Sequence, residues 1–128
     1  HGALKSALCA ACAHRWPAPL VMAPGDSCPA CNRPAARPDI VWFGEMPYDM
    51  DEIFRHLSEA DIFISIGTSG NVYPAAGFVA EARSAGAETI EFNLEPSLVG
   101  NQFEDIRIGS ASETLPVWVD EILQKSRS

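Results

Sequence analysis

The distribution of apolar and polar positions divides the chain near residue 39. Residues 1–38 carry no sustained apolar period. Pro17, Pro19, Pro24, Pro29, Pro34 and Pro38 interrupt them, and Pro24-Gly25-Asp26 is a turn signal. Regular periods begin with Asp39-Ile40-Val41-Trp42-Phe43, which reads as a β-strand ending at Gly44. Residues 50–60 place Ile53, Phe54, Leu57 and Ala60 on one helical face, with Asp49, Asp51 and Glu52 at the start, where the helix dipole favours acids. Asp61-Ile62-Phe63-Ile64-Ser65-Ile66 is almost continuously apolar and ends at Gly67, the mark of a buried parallel strand.

Residues 74–84 form a second expected helix, with proline in its first turn and Gly86 just past its end. Residues 88–93 form the next strand, where Ile90 and Phe92 alternate against Glu91. Arg107-Ile108 is a short fourth strand. Residues 112–125 form the last helix, with the stripe Leu115, Trp118, Val119, Ile122 and Leu123. Ser110 or Ser112 caps it, and Ser110 with Glu113 matches a capping box. Strands alternating with helices predict an α/β fold with a parallel sheet. Glu81, Glu88 and Glu91 read as solvated surface charge, His14 and His56 as surface residues, and Trp118 as core.

All four cysteines lie in the first part, as Cys9-Ala10-Ala11-Cys12 and Cys28-Pro29-Ala30-Cys31, with fifteen residues between the pairs. That spacing is the pattern of a closed four-thiolate zinc site, which is structural because no coordination position stays open. Two disulfides are the alternative. No secretory segment opens the chain, and reduced thiols point to the cytoplasm, which favours the metal. Residues 1–38 have little material for an apolar core, so the ion is expected to supply their folding energy. Four thiolates on a divalent ion leave negative charge, which Lys5, Arg15, Arg33 and Arg37 can offset.

The chain has 128 residues, a net charge of −8 and 47% hydrophobic residues, which suits one globular domain with a core. An acidic chain argues against nucleic acid as a partner, and no stretch is long enough to span a membrane. The chain begins at His1 without a methionine, so a piece of a longer protein is expected.

In an open α/β sheet, ligands bind outside the carboxyl ends of the strands. Gly67-Thr68-Ser69-Gly70-Asn71, Asn93-Leu94-Glu95-Pro96 and Gly109-Ser110-Ala111 occupy those positions. The glycines allow close backbone approach, Thr68 and Ser69 offer hydroxyls, and Glu95 is placed to accept bonds from ribose hydroxyls. An ordinary strand–helix loop remains the alternative for residues 67–70, since neither a dinucleotide fingerprint nor a Walker A motif occurs.

Val41-Trp42-Phe43-Gly44-Glu45, then Ile66-Gly67-Thr68-Ser69-Gly70-Asn71-Val72-Tyr73-Pro74-Ala75-Ala76, then Asn93-Leu94-Glu95, follow a four-cysteine module that opens with His1-Gly2. In that order these segments resemble a sirtuin, an NAD-dependent protein lysine deacylase, and the bacterial class III members in particular. The resemblance spans essentially the whole chain. It implies the C-terminal part of a Rossmann-like parallel sheet with a small zinc module: residues 1–38 would hold the catalytic histidine and the zinc ligands Cys9, Cys12, Cys28 and Cys31, and residues 39–128 would form a partial NAD-binding domain.

The roles it implies are specific. His1 is the general base that takes a proton from a ribose hydroxyl of NAD. Its free pKa near 6.5 suits that task. Gly67, Thr68 and Ser69 hold the nicotinamide-side ribose and phosphates. Asn93, Leu94 and Glu95 hold the adenosine ribose, and Ala111 lies near adenine. Val41, Phe43, Gly44 and Glu45 form one edge for an acyl-lysine peptide, and Asn71, Val72 and Tyr73 the facing edge, the peptide adding as a strand. The amide oxygen of the acyl-lysine attacks the ribose and nicotinamide leaves. The activated hydroxyl then attacks the resulting imidate, and the products are free lysine and an acyl-ADP-ribose, a transferase or hydrolase type of reaction.

The family's glycine-rich pyrophosphate loop, the segment at its nicotinamide end and its acyl-selecting Tyr and Arg lie outside this sequence. The implied partners therefore include the N-terminal half of the enzyme, alongside NAD and acyl-lysine proteins. The sheet is expected to have open edges, and the isolated chain to be inactive. The rival readings are a non-catalytic zinc-ribbon and nucleotide-binding interaction module, and an ADP-ribose binder.

Overall fold

The structure, a computed structural model, describes residues 1–127. The chain forms two compact units, His1–Met50 and Asp51–Ser128.

The first unit holds a three-stranded antiparallel sheet in the order β2-β1-β3, made of β1 (Gly2–Cys9), β2 (Arg15–Pro17) and β3 (Ala36–Ile40). The region expected to be loop-rich therefore contains a full strand, β1, which has no clean apolar alternation and is held by pairing on both edges. The strand expected at residues 39–43 is shifted. It ends at Ile40 and pairs with β1 rather than opening the parallel sheet, which draws the segment up to Met50 into the first unit.

Asp39 ties this unit together. It is buried, and its carboxylate accepts bonds from the Tyr48 hydroxyl at 2.6 Å, Arg15 Nε at 2.9 Å and the Ser6 hydroxyl at 3.1 Å. The Tyr48 bond, aided by Arg15 and Ser6, outweighs burial and holds the carboxyl below its usual range. Arg15 thus answers Asp39 and Arg37 answers Glu45, rather than both serving chiefly to offset the sulfur cluster.

The second unit is a parallel sheet in the order β4-β5-β6, from β4 (Ile62–Ile66), β5 (Glu88–Asn93) and β6 (Asp105–Ile108). Helix α1 (Met50–Glu59) and helix α2 (Phe78–Ser84) pack on one face through Leu57 and Ala82, with Ile53, Phe78 and Phe63 alongside. A 3-10 turn at Ala75–Gly77 takes the first part of the expected helix at 74–84. Gly86, at φ 97°, closes α2 in the left-handed conformation that glycine adopts at low cost.

Helix α3 (Ala111–Lys125) covers the other face, where Trp118 meets Phe92 edge-on at 5.7 Å beside Ile90. Three expectations change here. Ile62, Ile64 and Ile66 of β4 are exposed, because α3 packs on Ile90 and Phe92 of the central strand and leaves the outer strand's apolar positions open. Val119 and Leu123 are also exposed, so the working stripe of α3 is Leu115, Trp118 and Ile122. The capping box does not form. Ser110 stands at the N-cap, but its hydroxyl bonds Ser112 at 2.7 Å and its carbonyl accepts Glu113 N–H and Thr114 N–H, each at 3.0 Å.

Because Trp118 fills the contact between α3 and the central strand, Trp118→Ala should cost about 3–5 kcal/mol of the second unit's stability in urea unfolding. A loss below about 1 kcal/mol would contradict this packing.

Candidate functional site

The two C-x2-C segments fold as two copies of one turn. Ala13 N–H donates to Cys9 O and Asn32 N–H to Cys28 O, both at 2.9 Å. Cys9 N–H donates to His14 O and Cys28 N–H to Arg33 O, again at 2.9 Å. Ala13 and Asn32 adopt matching left-handed conformations, at φ 60° and 58°. Each turn also aims an N–H at its first sulfur: Ala11 at Cys9 Sγ, 3.4 Å, and Ala30 at Cys28 Sγ, 3.3 Å.

The four sulfurs lie within 4.8 Å of one another, with Cys9–Cys31 at 3.7 Å and Cys12–Cys28 at 3.8 Å. A tetrahedron with metal–sulfur bonds of about 2.3 Å has edges of about 3.8 Å. Disulfide sulfurs would sit at about 2.05 Å, so all four are free thiols arranged for a metal. Burial pushes the Cys9 thiol up, but N–H groups of Ala11 and Cys12 and the adjacent sulfurs outweigh it and bring it to about 7. Cys12 moves oppositely: a backbone bond from His14 lowers it, yet burial and the three sulfurs around it raise it to about 12. Sulfurs that compete in this way for negative charge are relieved by one divalent cation, and zinc fits the donor set.

His1 stands at the head of β1, exposed, and its carbonyl accepts Val41 N–H at 2.9 Å. Gly2 makes this possible. Its φ is +89°, and a Cβ there would lie 2.0 Å from Asp39 O, so only glycine lets β3 approach. Residues 42–45 form a turn closed by Glu45 N–H to Trp42 O at 3.1 Å, with Gly44 at φ 83° in the third position, as a type II turn requires.

Glu45 locks that turn. It receives both arms of Arg37 at 2.7 Å and Trp42 N–H at 2.8 Å, while Arg37 stacks on the Trp42 ring at 3.7 Å. The Arg37 guanidinium, with the Trp42 N–H, holds the Glu45 carboxyl at about 2. Val41 is half-buried, while Phe43, Gly44 and Glu45 are exposed.

In the second unit, Gly67, Thr68, Ser69, Asn93 and Glu95 line one cleft of about 330 Å³ with Pro96, Ser97 and Leu98. Two bonds join its walls: Asn93 Nδ2 donates to Thr68 O at 2.7 Å, and Leu98 N–H to Ser69 O at 3.0 Å. Gly67 and Gly70 both take left-handed conformations, and a Cβ on Gly70 would strike Val99 at 2.7 Å. Leu94 is exposed and does not line the cleft. Ala111 also lies outside the lining, although Gly109 N–H anchors its loop to Asn93 O at 2.9 Å. Asn71 and Val72 line a second, more apolar cleft of about 390 Å³ that shares Thr68 and Ser69 with the first. Tyr73 is exposed beside it.

Several contributors escaped the sequence reading. Ser97 and Leu98 complete the cleft. Glu91, read as solvated, is fully buried. The alternation of β5 did signal that Glu91 opposes Ile90 and Phe92, but a central strand covered on both faces offers no solvent side.

Comparison with known proteins follows the same lines. The Sir2 family model matches residues 1–74. A Salmonella typhimurium NAD-dependent protein deacylase is 60% identical over 102 residues, 79% of this chain and 37% of that protein. Its Caulobacter vibrioides counterpart is 50% identical over 126 residues, 98% of this chain and 53% of that protein. The chain thus spans about half, or less, of the length of the curated relatives it matches. A Sir2 homologue solved with NAD superposes with a TM-score of 0.80 at 31% identity, over all of this chain and 51% of the other. A Sir2 protein solved with a myristoylated histone peptide gives 0.73 at 28% identity, covering 100% and 58%.

Two outcomes are expected. Purified protein should carry one zinc per chain, and Cys28→Ser should lower that content and unfold the first unit, as read by metal analysis and circular dichroism. Full zinc content in Cys28→Ser would refute the four-sulfur site. The second concerns acid. Glu45 is held near 2 in the fold against 4.5 when free, so its contribution is complete above about 4.5 and is lost as pH falls toward 2. Glu45→Gln should therefore destabilise the protein at pH 7 in urea titrations, with the difference from the unmodified protein shrinking as pH approaches 3.

Proposed function

The chain belongs to the Sir2 family, and on that premise we propose that it forms the zinc module and nucleotide cleft of an NAD-dependent protein lysine deacylase. One observation carries this reading. Five of the seven residues expected to hold the dinucleotide converge on a single cleft at the carboxyl ends of two parallel strands. A ribose there finds a carboxylate, Glu95, and a hydroxyl, Ser69, on facing loops, which is the donor and acceptor chemistry that vicinal hydroxyls need.

NAD would supply an electrophilic ribose carbon and nicotinamide as leaving group, so that the acyl chain departs on ADP-ribose. His1 takes up the proton from a ribose hydroxyl, and its backbone bond to Val41 ties it to the segment proposed to carry the acyl-lysine peptide. Val41 to Glu45 would offer backbone groups to an extended peptide, with Phe43 exposed for the acyl-lysine stem. Asn71, Val72 and Tyr73 would form the facing edge, Leu94 would lie on the rim of the ribose site, and Ala111 would present backbone toward adenine. The sirtuin elements that grip the pyrophosphate and the nicotinamide end would complete the site. Four free thiols support a reducing cytoplasmic setting.

The test is nicotinamide release from NAD, with acetyl-lysine and succinyl-lysine peptides, by the protein in its full natural chain. His1→Ala should lower kcat by about 10²- to 10⁴-fold. Glu95→Ala should raise the KM for NAD about tenfold, the loss of one charge-assisted hydrogen bond. ADP-ribose binding without nicotinamide release would make the protein a binder, and the absence of both binding and release would end the reading.

A further inference from the structure

Glu91 sits in the middle strand of the second unit, fully buried, with no ion-pair partner among the described residues. A buried carboxylate is costly unless hydrogen bonds replace its water, so its neighbours explain why it is there. Ser97 N–H points at both carboxylate oxygens, at 3.2 and 3.3 Å. Asn93 Nδ2 donates to Oε1 at 3.3 Å. Both donors belong to the loop that lines the nucleotide cleft.

The same Asn93 amide reaches Thr68 O at 2.7 Å on the opposite wall, and its Oδ1 accepts Leu94 N–H at 3.0 Å. Both amide hydrogens of Asn93 are therefore spent inside the protein. Asn93 braces the two walls, and Glu91 fixes the brace from beneath. Two donors reach Glu91: Oε1 accepts from both Asn93 Nδ2 and Ser97 N–H, and Oε2 also faces Ser97 N–H, so both oxygens serve as acceptors. A glutamine would turn an amide donor toward one of them. The fold also clears space for the carboxylate: a Cβ on Gly100 would come within 3.1 Å of Glu91 Oε2.

We propose that Glu91 is a positioning residue that sets the affinity of the cleft for the ADP-ribose portion of its ligand, by clamping Ser97 N–H and the Asn93 amide. The proposal rests on the nucleotide reading of the cleft, and the experiment separates the two. Glu91→Gln changes one atom type at nearly constant volume. It should weaken ADP-ribose binding about tenfold by calorimetry and raise the KM for NAD to match. The KM for acyl peptide at saturating NAD should stay within twofold. A residue that only supports the fold would move both constants together, or neither.

Amide exchange gives a readout that needs no ligand: Ser97 N–H should lose protection in Glu91→Gln. In the unmodified protein, a through-hydrogen-bond nitrogen–carbon coupling should link Ser97 N to the Glu91 carboxyl carbon, which keeps the proposal testable if the variant does not fold. Absence of that coupling, or unchanged Ser97 protection and ADP-ribose affinity in a folded Glu91→Gln, would overturn the clamp. If the unmodified protein shows the coupling but binds no ADP-ribose, the nucleotide reading fails, and the proposed effect on affinity falls with it.

Discussion

The cleft depends on the parallel register of β4 and β5. Ile66 stands opposite Phe92, and Gly67 N–H donates to Phe92 O at 2.9 Å as the last rung of the ladder. Both chains leave the sheet at the same level, so the residues after each strand must face one another. A shift of one residue would turn every side chain to the other face and put Glu91 among Ile90's neighbours around Trp118. The apolar contacts of Phe92 and Ile90 with Trp118, and of Phe63 with Phe103, oppose that shift from both sides of the sheet. The register is therefore set by the core, and the polar site inherits its alignment.

The first unit achieves definition with different means. It has few buried apolar side chains, and its interior is polar or sulfur-based: Asp39 with its three donors, and the cysteine cluster. The same turn geometry recurs at the two cysteine pairs, so each pair offers two sulfurs from one side, and the ion that joins them ties the two turns into one unit. The Asp39 network then links to β1, where the Gly2–Asp39 contact fixes the backbone of His1 against Val41. Charge on Arg15 and Arg37 is consumed within the unit, which leaves the metal cluster dependent on backbone N–H groups for part of its charge compensation.

Much of this was legible in the sequence, for identifiable reasons. Residues 88–93 read correctly as a strand because Ile90 and Phe92 alternate with polar positions, and residues 50–60 as a helix to within a residue because Ile53, Phe54, Leu57 and Ala60 share one face. The cysteines were legible because their spacing is that of a four-sulfur metal site, and the sulfur distances exclude the disulfide alternative. What failed was local reading where pairing decides. Residues 2–9 lack alternation, yet two neighbouring strands hold them extended. Ser110 and Glu113 match a capping box, but the Ser110 hydroxyl finds Ser112 instead. The isoleucines of β4 look like core, and their exposure follows from which strand α3 chooses to cover, a tertiary fact with no local signature.

The cleft shows a further limit of motif reading. Asn93 and Glu95 belong to one short segment, and both carry groups able to hydrogen-bond a ligand. The hydrogen bonds divide them. Asn93 has its two amide hydrogens and its oxygen engaged by Glu91, Thr68 and Leu94, while Glu95 keeps its carboxylate exposed on the cleft wall. Of the two, only Glu95 keeps unspent hydrogen-bonding capacity at the cleft, while Asn93 shapes its walls. Gly100 and Glu91, which no motif includes, belong with Asn93. A buried acid, a glycine that makes room for it and an amide that joins two loops are one device: losing the acid or the amide leaves the other's hydrogen-bonding groups unmet, and a side chain at Gly100 would crowd the carboxylate.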